Sequence, residues 1–140
     1  MSAHILNLSI VTPATTAFSG TVLAVSVPGS QSPFQILYNH APIISALDTG
    51  VMKVEDEHNH VTFFASKEGF VEVLKNTVSI VVYELVEAKN VNVDVAESDL
   101  AEARSIADTH PDRHERDNAR KSMHWAEARL RAAKLQSELA

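Results

Sequence analysis

The sequence lacks cysteine, contains only four glycines and has few aromatic residues. Without cysteine, neither a disulfide framework nor a thiolate metal site can form. An excess of basic residues is also missing: the formal net charge is −6, which argues against a protein that binds the phosphate backbone of nucleic acids. The apolar runs, such as residues 80–83, are far shorter than the ~20 residues of a membrane helix.

The beginning of the chain has no basic segment followed by a long apolar stretch. We therefore expect neither a signal peptide nor an Arg-rich transit peptide, and a protein that works where it is made. Its 140 residues, 45% hydrophobic composition and pI near 5.6 are typical of a globular protein with one domain, or one small domain and an appendage.

The composition changes abruptly near residue 95. All four glycines precede this point, whereas every arginine follows it. Glycine is typical of turns and arginine is a good helix former, so the change predicts strands and turns before this point and helices after it. The boundary falls between residues 91 and 98, and we predict two domains, residues 1–92 and 93–140.

The first domain shows the alternation of a half-buried strand, with Leu6, Leu8 and Ile10 on one side and Asn7 and Ser9 on the other. Further short runs rich in β-branched and aromatic residues cover 23–27, 51–54, 61–65, 70–74 and 77–83, with turns expected at 56–59 and 75–76. Many short strands without intervening helices favour an antiparallel β-sandwich or flattened barrel. A parallel α/β sheet would need helical crossovers.

The second domain is predicted to be an antiparallel hairpin of two helices. Ser98 or Asp99 is expected to cap the first helix, which ends at His110-Pro111, and Asp112 with Glu115 forms a capping box for the second. The apolar positions of the second helix recur at spacings of four and three: Ala119, Met123, Ala126, Leu130 and Ala133. Because alanine buries little area, we expect this hairpin to dock weakly and to be able to move. Trp125 is expected to pack against the other helix or the sandwich.

Catalytic signatures are not evident in the sequence. His58 with His60 falls at a polar turn, and His110 with His114 is interrupted by Pro111, so neither pair predicts a metal site. Phosphate-binding glycine loops, nucleophile elbows and dinucleotide fingerprints are also missing. We therefore predict no catalytic residues, no metal and no obligatory cofactor.

The order of several short motifs resembles the epsilon subunit family of bacterial and chloroplast ATP synthases, which is related to the mitochondrial delta subunit. The resemblance covers nearly the whole chain, and its most specific element is His40-Ala41-Pro42. The other matching elements are Phe18-Ser19-Gly20-Thr21-Val22, Val27-Pro28-Gly29, Gly50-Val51, and Gly69-Phe70-Val71-Glu72-Val73 ahead of an Asn76-x-Val78 strand.

The resemblance implies a non-catalytic rotor subunit of a proton-translocating ATP synthase, peripheral on the cytoplasmic face of a bacterial inner membrane. The sandwich would bind the gamma subunit and the polar loops of the membrane rotor ring. Ring contacts implied by the resemblance are Gln31, Pro33, Tyr38, Asn39 and His40. The family usually has a second glycine in the loop that here contains Ser32-Pro33, and a Gly-Gly pair where this chain has Glu68-Gly69.

Some family members bind ATP in the folded hairpin through an aliphatic-Asp-x-x-Arg-Ala motif. Here Arg104 matches that motif and Arg129 resembles a second arginine of the site, but Ala101 replaces the aspartate and Ser105 the alanine. Losing the carboxylate removes a polar contact typically worth ~1 to 3 kcal/mol. ATP is therefore expected to be at most a weak regulatory ligand.

The resemblance also implies that the hairpin can extend along gamma to the alpha/beta catalytic head and inhibit ATP hydrolysis. The residues that would contact an acidic loop of the beta subunits lie on the second helix: Arg116, Arg120, Arg129 and Arg131. Pairing with acidic residues of the same helix is the alternative explanation for these charges.

Two other functions stay open on the sequence alone. One is a free-standing β-sandwich binding module whose hairpin dimerises through the seam at residues 119–133. The other is a small metal-dependent enzyme that uses the histidines. Co-purification with gamma would argue against both.

Overall fold

The computed structural model describes residues 4–139. Nine strands precede a 3-10 turn, Ala88–Asn90, and two helices, α1 (Val93–Thr109) and α2 (Arg113–Ser137). The strands are β1 (Leu6–Val11), β2 (Thr16–Val27), β3 (Phe34–Ile36), β4 (Ile43–Leu47), β5 (Gly50–Asp56), β6 (Val61–Ser66), β7 (Gly69–Leu74), β8 (Thr77–Val82) and β9 (Leu85–Glu87). The strands β3, β4 and β9 lie outside the runs from which strands were predicted.

The strands form one sheet in the order β4-β7-β8-β1-β2-β5-β6-β9, with β3 attached to β2. The sheet folds over so that its inward faces share one core, which confirms the predicted sandwich, but β4 and β9 are its ends and it does not close into a barrel. One pairing also differs from the antiparallel expectation: β1 and β8 are parallel, with Leu8 opposite Val78. The chain connects these two parallel strands through β2 to β7, so the connection does not require a helix.

Period-two alternation places the core residues. Leu6, Leu8 and Ile10 of β1 are at most 2% exposed, and they join inward-facing side chains of both halves of the sheet, such as Val25 and Ile80. Each fully buried aliphatic side chain of this kind stabilises the fold by roughly 1.5–3 kcal/mol. The strand-rich segment therefore has a large apolar core of its own.

Both predicted hairpin turns are confirmed. Lys75 and Asn76 have φ values of 49° and 64°, as a two-residue turn with two left-handed positions requires. In the other turn, Asp56 Oδ1 accepts hydrogen bonds from the backbone N–H groups of His60 and His58 at 2.9 and 2.8 Å. These bonds, with the bond from His60 contributing most, lower the pKa of Asp56 below its ordinary value.

The predicted cap of the first helix was wrong. Helix α1 begins at Val93, because the side chain of Asn92 accepts a hydrogen bond from Val95 N–H at 3.1 Å and caps it there. Two exposed valines in the first turn hid this start, since β-branched residues are weak helix formers. Asp99, one of the two predicted caps, instead lies within the helix and serves another purpose described below.

Helix α2 begins as predicted, since Asp112 Oδ1 accepts from His114 N–H at 2.9 Å. The reciprocal half of the capping box differs: Asp112 N–H donates to His110 Nδ1 at 3.0 Å rather than to Glu115. Ala119 and Ala126 of the predicted seam are buried. None of the helices within residues 4–139 is long and apolar enough to cross a membrane.

Candidate functional site

The predicted ring-contact residues lie in the two loops on either side of β3. Gln31 and Pro33 are exposed in the loop before β3, and Pro33 also lines a groove of about 810 Å³ that runs between α2 and the sandwich. Tyr38, Asn39 and His40 lie in the loop after β3. The structure therefore separates the five residues into two groups of different surroundings.

The loop after β3 is held by several defined contacts. Asn39 has a φ of 65°, and its N–H donates to Asn76 Oδ1 at 2.6 Å, which ties the loop to the β7–β8 turn. His40 Nδ1 lies 2.8 Å from the carbonyl oxygen of Ala41, and its ring is 6.2 Å from that of Phe34. Tyr38 stacks on His4 with ring centroids 4.6 Å apart. These contacts tie the loop to the β7–β8 turn and to the neighbouring rings of His4 and Phe34.

The outer face of the β4-β7-β8 part of the sheet carries a group of exposed apolar side chains that sequence analysis missed. Its most exposed members are Ile44, Phe70, Val81 and Tyr83, at 73%, 62%, 53% and 70%. Ala46, Phe70 and Val81 lie opposite one another on adjacent strands and form one patch, whereas Ile44 lies opposite the exposed side chain of Glu72 at the border of that patch. A contiguous exposed apolar patch typically marks a protein interaction site. We name it the outer apolar face.

A second, small apolar cluster docks the hairpin on the sandwich. Ala128 and Ala132 of α2 pack on Phe63 and Ala65 of β6, with Ala88 completing the buried set. The partly buried members are Val51, Val61, Trp125 and Leu135. Ala128 and Ala132 form a stripe distinct from the predicted seam, so α2 buries one face against α1 and another against β6. Four of the five buried members are alanines, so this cluster buries less apolar area than the main core, and we expect the docking to be weaker.

Gln136 adds a polar contact to this docking. Its Oε1 accepts from Phe63 N–H at 2.8 Å and its Nε2 donates to the carbonyl oxygen of Val61 at 3.1 Å. Both bonds are partly buried and join residues more than 70 positions apart in the chain. No sequence pattern indicated this role, because a glutamine near a helix end is ordinarily solvated.

Arg129 connects the two helices. Its Nη2 donates to Asp99 Oδ2 on α1 at 3.0 Å, and its guanidinium lies 5.3 Å from the centroid of the Trp125 ring. Lys67, on the turn between β6 and β7, approaches Trp125 at 5.4 Å. The expected packing of Trp125 against the sandwich is confirmed, and its ring lies within cation–π distance of both Arg129 and Lys67.

Only one of the two arginines predicted for a nucleotide site lines the cleft between the helices. Arg129 lines a cleft of about 270 Å³ between α1 and α2, together with Asp99, Glu102 and Ser122. Arg104 is exposed and is not part of that cleft's lining. In this conformation the acidic side chains of Asp99 and Glu102 face the cleft, an unfavourable setting for a polyanion.

The four basic residues predicted for the catalytic head have different surroundings. Arg116 donates to the carbonyl oxygens of His110 and Pro111 at 2.8 and 2.9 Å, so it stabilises the bend between the helices. Arg120 pairs with Asp117 of the same helix at 2.6 Å. Arg131 is exposed and has no ion pair with the residues that the structure describes. Intrahelical pairing thus accounts for Arg120 and not for Arg131.

The histidines do not assemble a metal centre. His58 and His60 lie at the exposed Asp56 turn with ring centroids 6.2 Å apart, and His110 caps the backbone between the helices. Across residues 4–139, no three His, Asp or Glu side chains are grouped so that they could hold a metal ion.

Comparison with known proteins identifies the family. The sequence profile of the family described as "ATP synthase, Delta/Epsilon chain, beta-sandwich domain" matches residues 5–88. The chain belongs to this family. An ATP synthase epsilon chain of Francisella tularensis is 33% identical over 135 residues, covering 94% of this chain and 91% of that protein. An ATP synthase epsilon chain of Staphylococcus aureus is 33% identical over 131 residues, covering 93% and 97%.

Solved structures agree on the fold. A chain of the Euglena gracilis mitochondrial ATP synthase superposes with a TM-score of 0.83 at 19% identity, covering all of this chain and 84% of that one. A chain from the central stalk and c-ring of the Tetrahymena thermophila enzyme gives 0.65 at 16%, covering 91% and 96%. Family membership makes this chain a non-catalytic, epsilon-type subunit of an ATP synthase, which confirms the sequence-based identification.

Proposed function

We propose that this chain is a rotor subunit of the ATP synthase central stalk, whose sandwich binds gamma and the membrane ring and whose hairpin regulates ATP hydrolysis. The observation that carries the proposal is the outer apolar face, which a free-standing protein would leave in water. The chain would be a peripheral subunit at the cytoplasmic face of a bacterial inner membrane. There it would couple proton-driven rotation to ATP synthesis.

The outer apolar face is the proposed gamma-binding surface. Buried aromatic residues typically dominate the energy of such interfaces, so Phe70 and Tyr83 are the expected anchors. Phe70→Glu with Tyr83→Glu should weaken binding to gamma by roughly 30-fold or more, because two charges would be desolvated on association. Val95→Glu is the matched control, since Val95 is also exposed but lies on α1. Affinity would be measured by titration against purified gamma, and equal loss in both variants would contradict the assignment.

The loop after β3 is the proposed contact with the polar loops of the membrane ring. Support comes from the backbone conformation of Asn39 and from its bond to Asn76, which hold Tyr38 and His40 in fixed positions. Gln31 and Pro33 are assigned to the edge of the same contact. Site-specific photo-crosslinkers at position 38 and at position 31 should label the ring, with the higher yield at position 38; labelling only at position 31 would reverse the assignment.

The helical hairpin is the proposed regulatory element. It docks through a small, alanine-rich cluster, and Arg131 is available for an acidic partner on the catalytic head. Deleting residues 96–140 should relieve inhibition of ATP hydrolysis while leaving rotor assembly intact. Replacing Arg116, Arg120, Arg129 and Arg131 with glutamine should relieve part of it, and rising salt should do the same because exposed charges are screened over ~8 Å at physiological ionic strength.

The measurement is ATP hydrolysis by enzyme reconstituted with the full-length, truncated or neutralised subunit. Equal rates for all three would leave a structural rotor subunit whose hairpin stays folded. A fragment of residues 1–92 tests the proposed domain division at the same time. Because the main core lies within the strands, we expect this fragment to fold and to bind gamma.

The rival function, a binding module that dimerises through its hairpin, has less support. Ala119 and Ala126 of the seam are already buried within one chain, where α1 packs on α2. Dimerisation would need that packing to open first. Sedimentation of the free chain at micromolar concentration checks this point, and a stable dimer would favour the rival function.

A further inference from the structure

One edge of β6 is only partly covered by a neighbouring strand. β5 pairs with β6 along most of its length, but on the other side β9 pairs only with Phe64, Ala65 and Ser66. The first half of that edge faces α2 instead. There Gln136 supplies an acceptor for Phe63 N–H and a donor for the Val61 carbonyl oxygen.

The side-chain amide of Gln136 thus makes the two hydrogen bonds that a neighbouring strand would otherwise make. Backbone polar groups buried without partners are costly, so the docked helix satisfies a requirement of the sheet itself. The remaining contacts of α2 with this side of the sandwich are apolar and come from Ala128, Ala132, Trp125 and Leu135. Apolar attraction is non-directional, whereas a pair of hydrogen bonds requires defined distances and angles and so specifies one position of the helix.

We propose that Gln136 is a positioning residue that fixes where α2 docks on the sandwich and thereby sets the balance between the docked and released hairpin. The inference rests on the proposed mobile hairpin and goes beyond it by naming a contact that release has to break. When the hairpin is released, Phe63 N–H and the Val61 carbonyl oxygen lose these partners and form hydrogen bonds with water instead.

Two substitutions separate this role from simple space filling. Gln136→Met keeps the length and helix propensity of the side chain but removes both bonds. Gln136→Glu keeps an acceptor for Phe63 and removes the donor, placing a carboxylate oxygen against the Val61 carbonyl oxygen. Both variants should favour release. Gln35→Met is the matched control, because Gln35 is an exposed glutamine on β3.

The experiment is amide hydrogen exchange of the full-length chain, read at Phe63, together with the fluorescence of Trp125, the single tryptophan of the sequence. In both Gln136 variants, Phe63 exchange should accelerate roughly tenfold or more, as expected for the loss of one or two partly buried hydrogen bonds. Trp125 emission should shift in the same variants because the ring packs in the docked interface. Exchange at Val71 in the main core should stay unchanged.

Three results would overturn the proposal. Unchanged Phe63 exchange in both variants would show that the hydrogen bonds do not hold the helix. Faster Phe63 exchange with unchanged Trp125 emission would limit Gln136 to covering the strand edge. Equal acceleration in Gln35→Met would attribute the effect to general destabilisation. If both reporters respond but ATP hydrolysis by the reconstituted enzyme does not, the positioning role stands and the proposed regulation fails.

Discussion

Arg129 is the residue whose replacement most directly tests whether the folded hairpin is held by polar contacts. Its side chain is only 15% exposed, donates to Asp99 and lies over Trp125. Arg129→Gln keeps helix propensity while removing the charge and both interactions. It therefore loosens α1 from α2 without creating a large cavity.

The size of the effect follows from these contacts. A hydrogen bond between charged groups contributes about 1.5–3 kcal/mol, but Asp99 is 46% exposed, so solvent screening reduces this contribution. Stacking of the guanidinium on Trp125 adds about 0.5–1 kcal/mol. A net loss of about 1–2 kcal/mol corresponds to a roughly 5- to 30-fold shift of the equilibrium between packed and separated helices toward the separated form.

The assay is Trp125 fluorescence with amide exchange of α1 and α2 in the full-length chain. Arg131→Gln is the matched control. It also removes a positive charge, two residues after Arg129, but from a side chain that is exposed. Arg129→Gln should speed exchange in the helices, and Arg131→Gln should not. If the two variants behave alike, the Asp99–Arg129–Trp125 contacts do not hold the hairpin, and the reasoning is refuted.

Three further predictions concern the sandwich and the ligand. Gly69→Ala should destabilise the fold by about 1–3 kcal/mol, because a Cβ would overlap the carbonyl oxygen of Val81, whereas Gly20→Ala meets only Phe18 at 3.8 Å; urea denaturation that ranks them equally would contradict this. ATP at millimolar concentration should shift the melting temperature little, and Ala101→Asp should enlarge any shift, as read by thermal denaturation. Since the pKa of Asp56 is lowered in the fold, its stabilising contribution should be present above the unfolded pKa and lost as pH falls through the folded one; a pH series of Asp56→Asn that matches the unchanged protein would contradict this.

The strands and turns of the sandwich could be predicted where the local signal is strong. Leu6, Leu8 and Ile10 alternate cleanly, and Lys75-Asn76 suits a tight turn, so both features are present as predicted. The parallel pairing of β1 with β8 could not be predicted, because it depends on where distant strands meet rather than on the residues of either strand.

The candidate site was predictable only in part. A two-helix hairpin with an excess of basic residues on its second helix could be predicted from alanine spacing and charge, whereas the roles of Asp99 and Gln136 could not, since each depends on a contact with another element. Asp99 was interpreted as a cap because carboxylates favour that position, and tertiary contact with Arg129 decided otherwise. The outer apolar face was missed because exposed and buried apolar side chains alternate on β7 and β8 and look alike in sequence.

The parallel pairing of β1 with β8 has a consequence for biosynthesis. β1 emerges from the ribosome well before β8, since the two paired strands are about 70 residues apart in the chain. Until β8 has been made, β1 presents an open apolar edge, the kind of edge on which nascent chains aggregate. Such long-range pairing also slows folding. Pairing of β1 with β8 is therefore expected late in translation, shortly before the helices are made. Chains stalled before residue 77 should require chaperones to stay in solution.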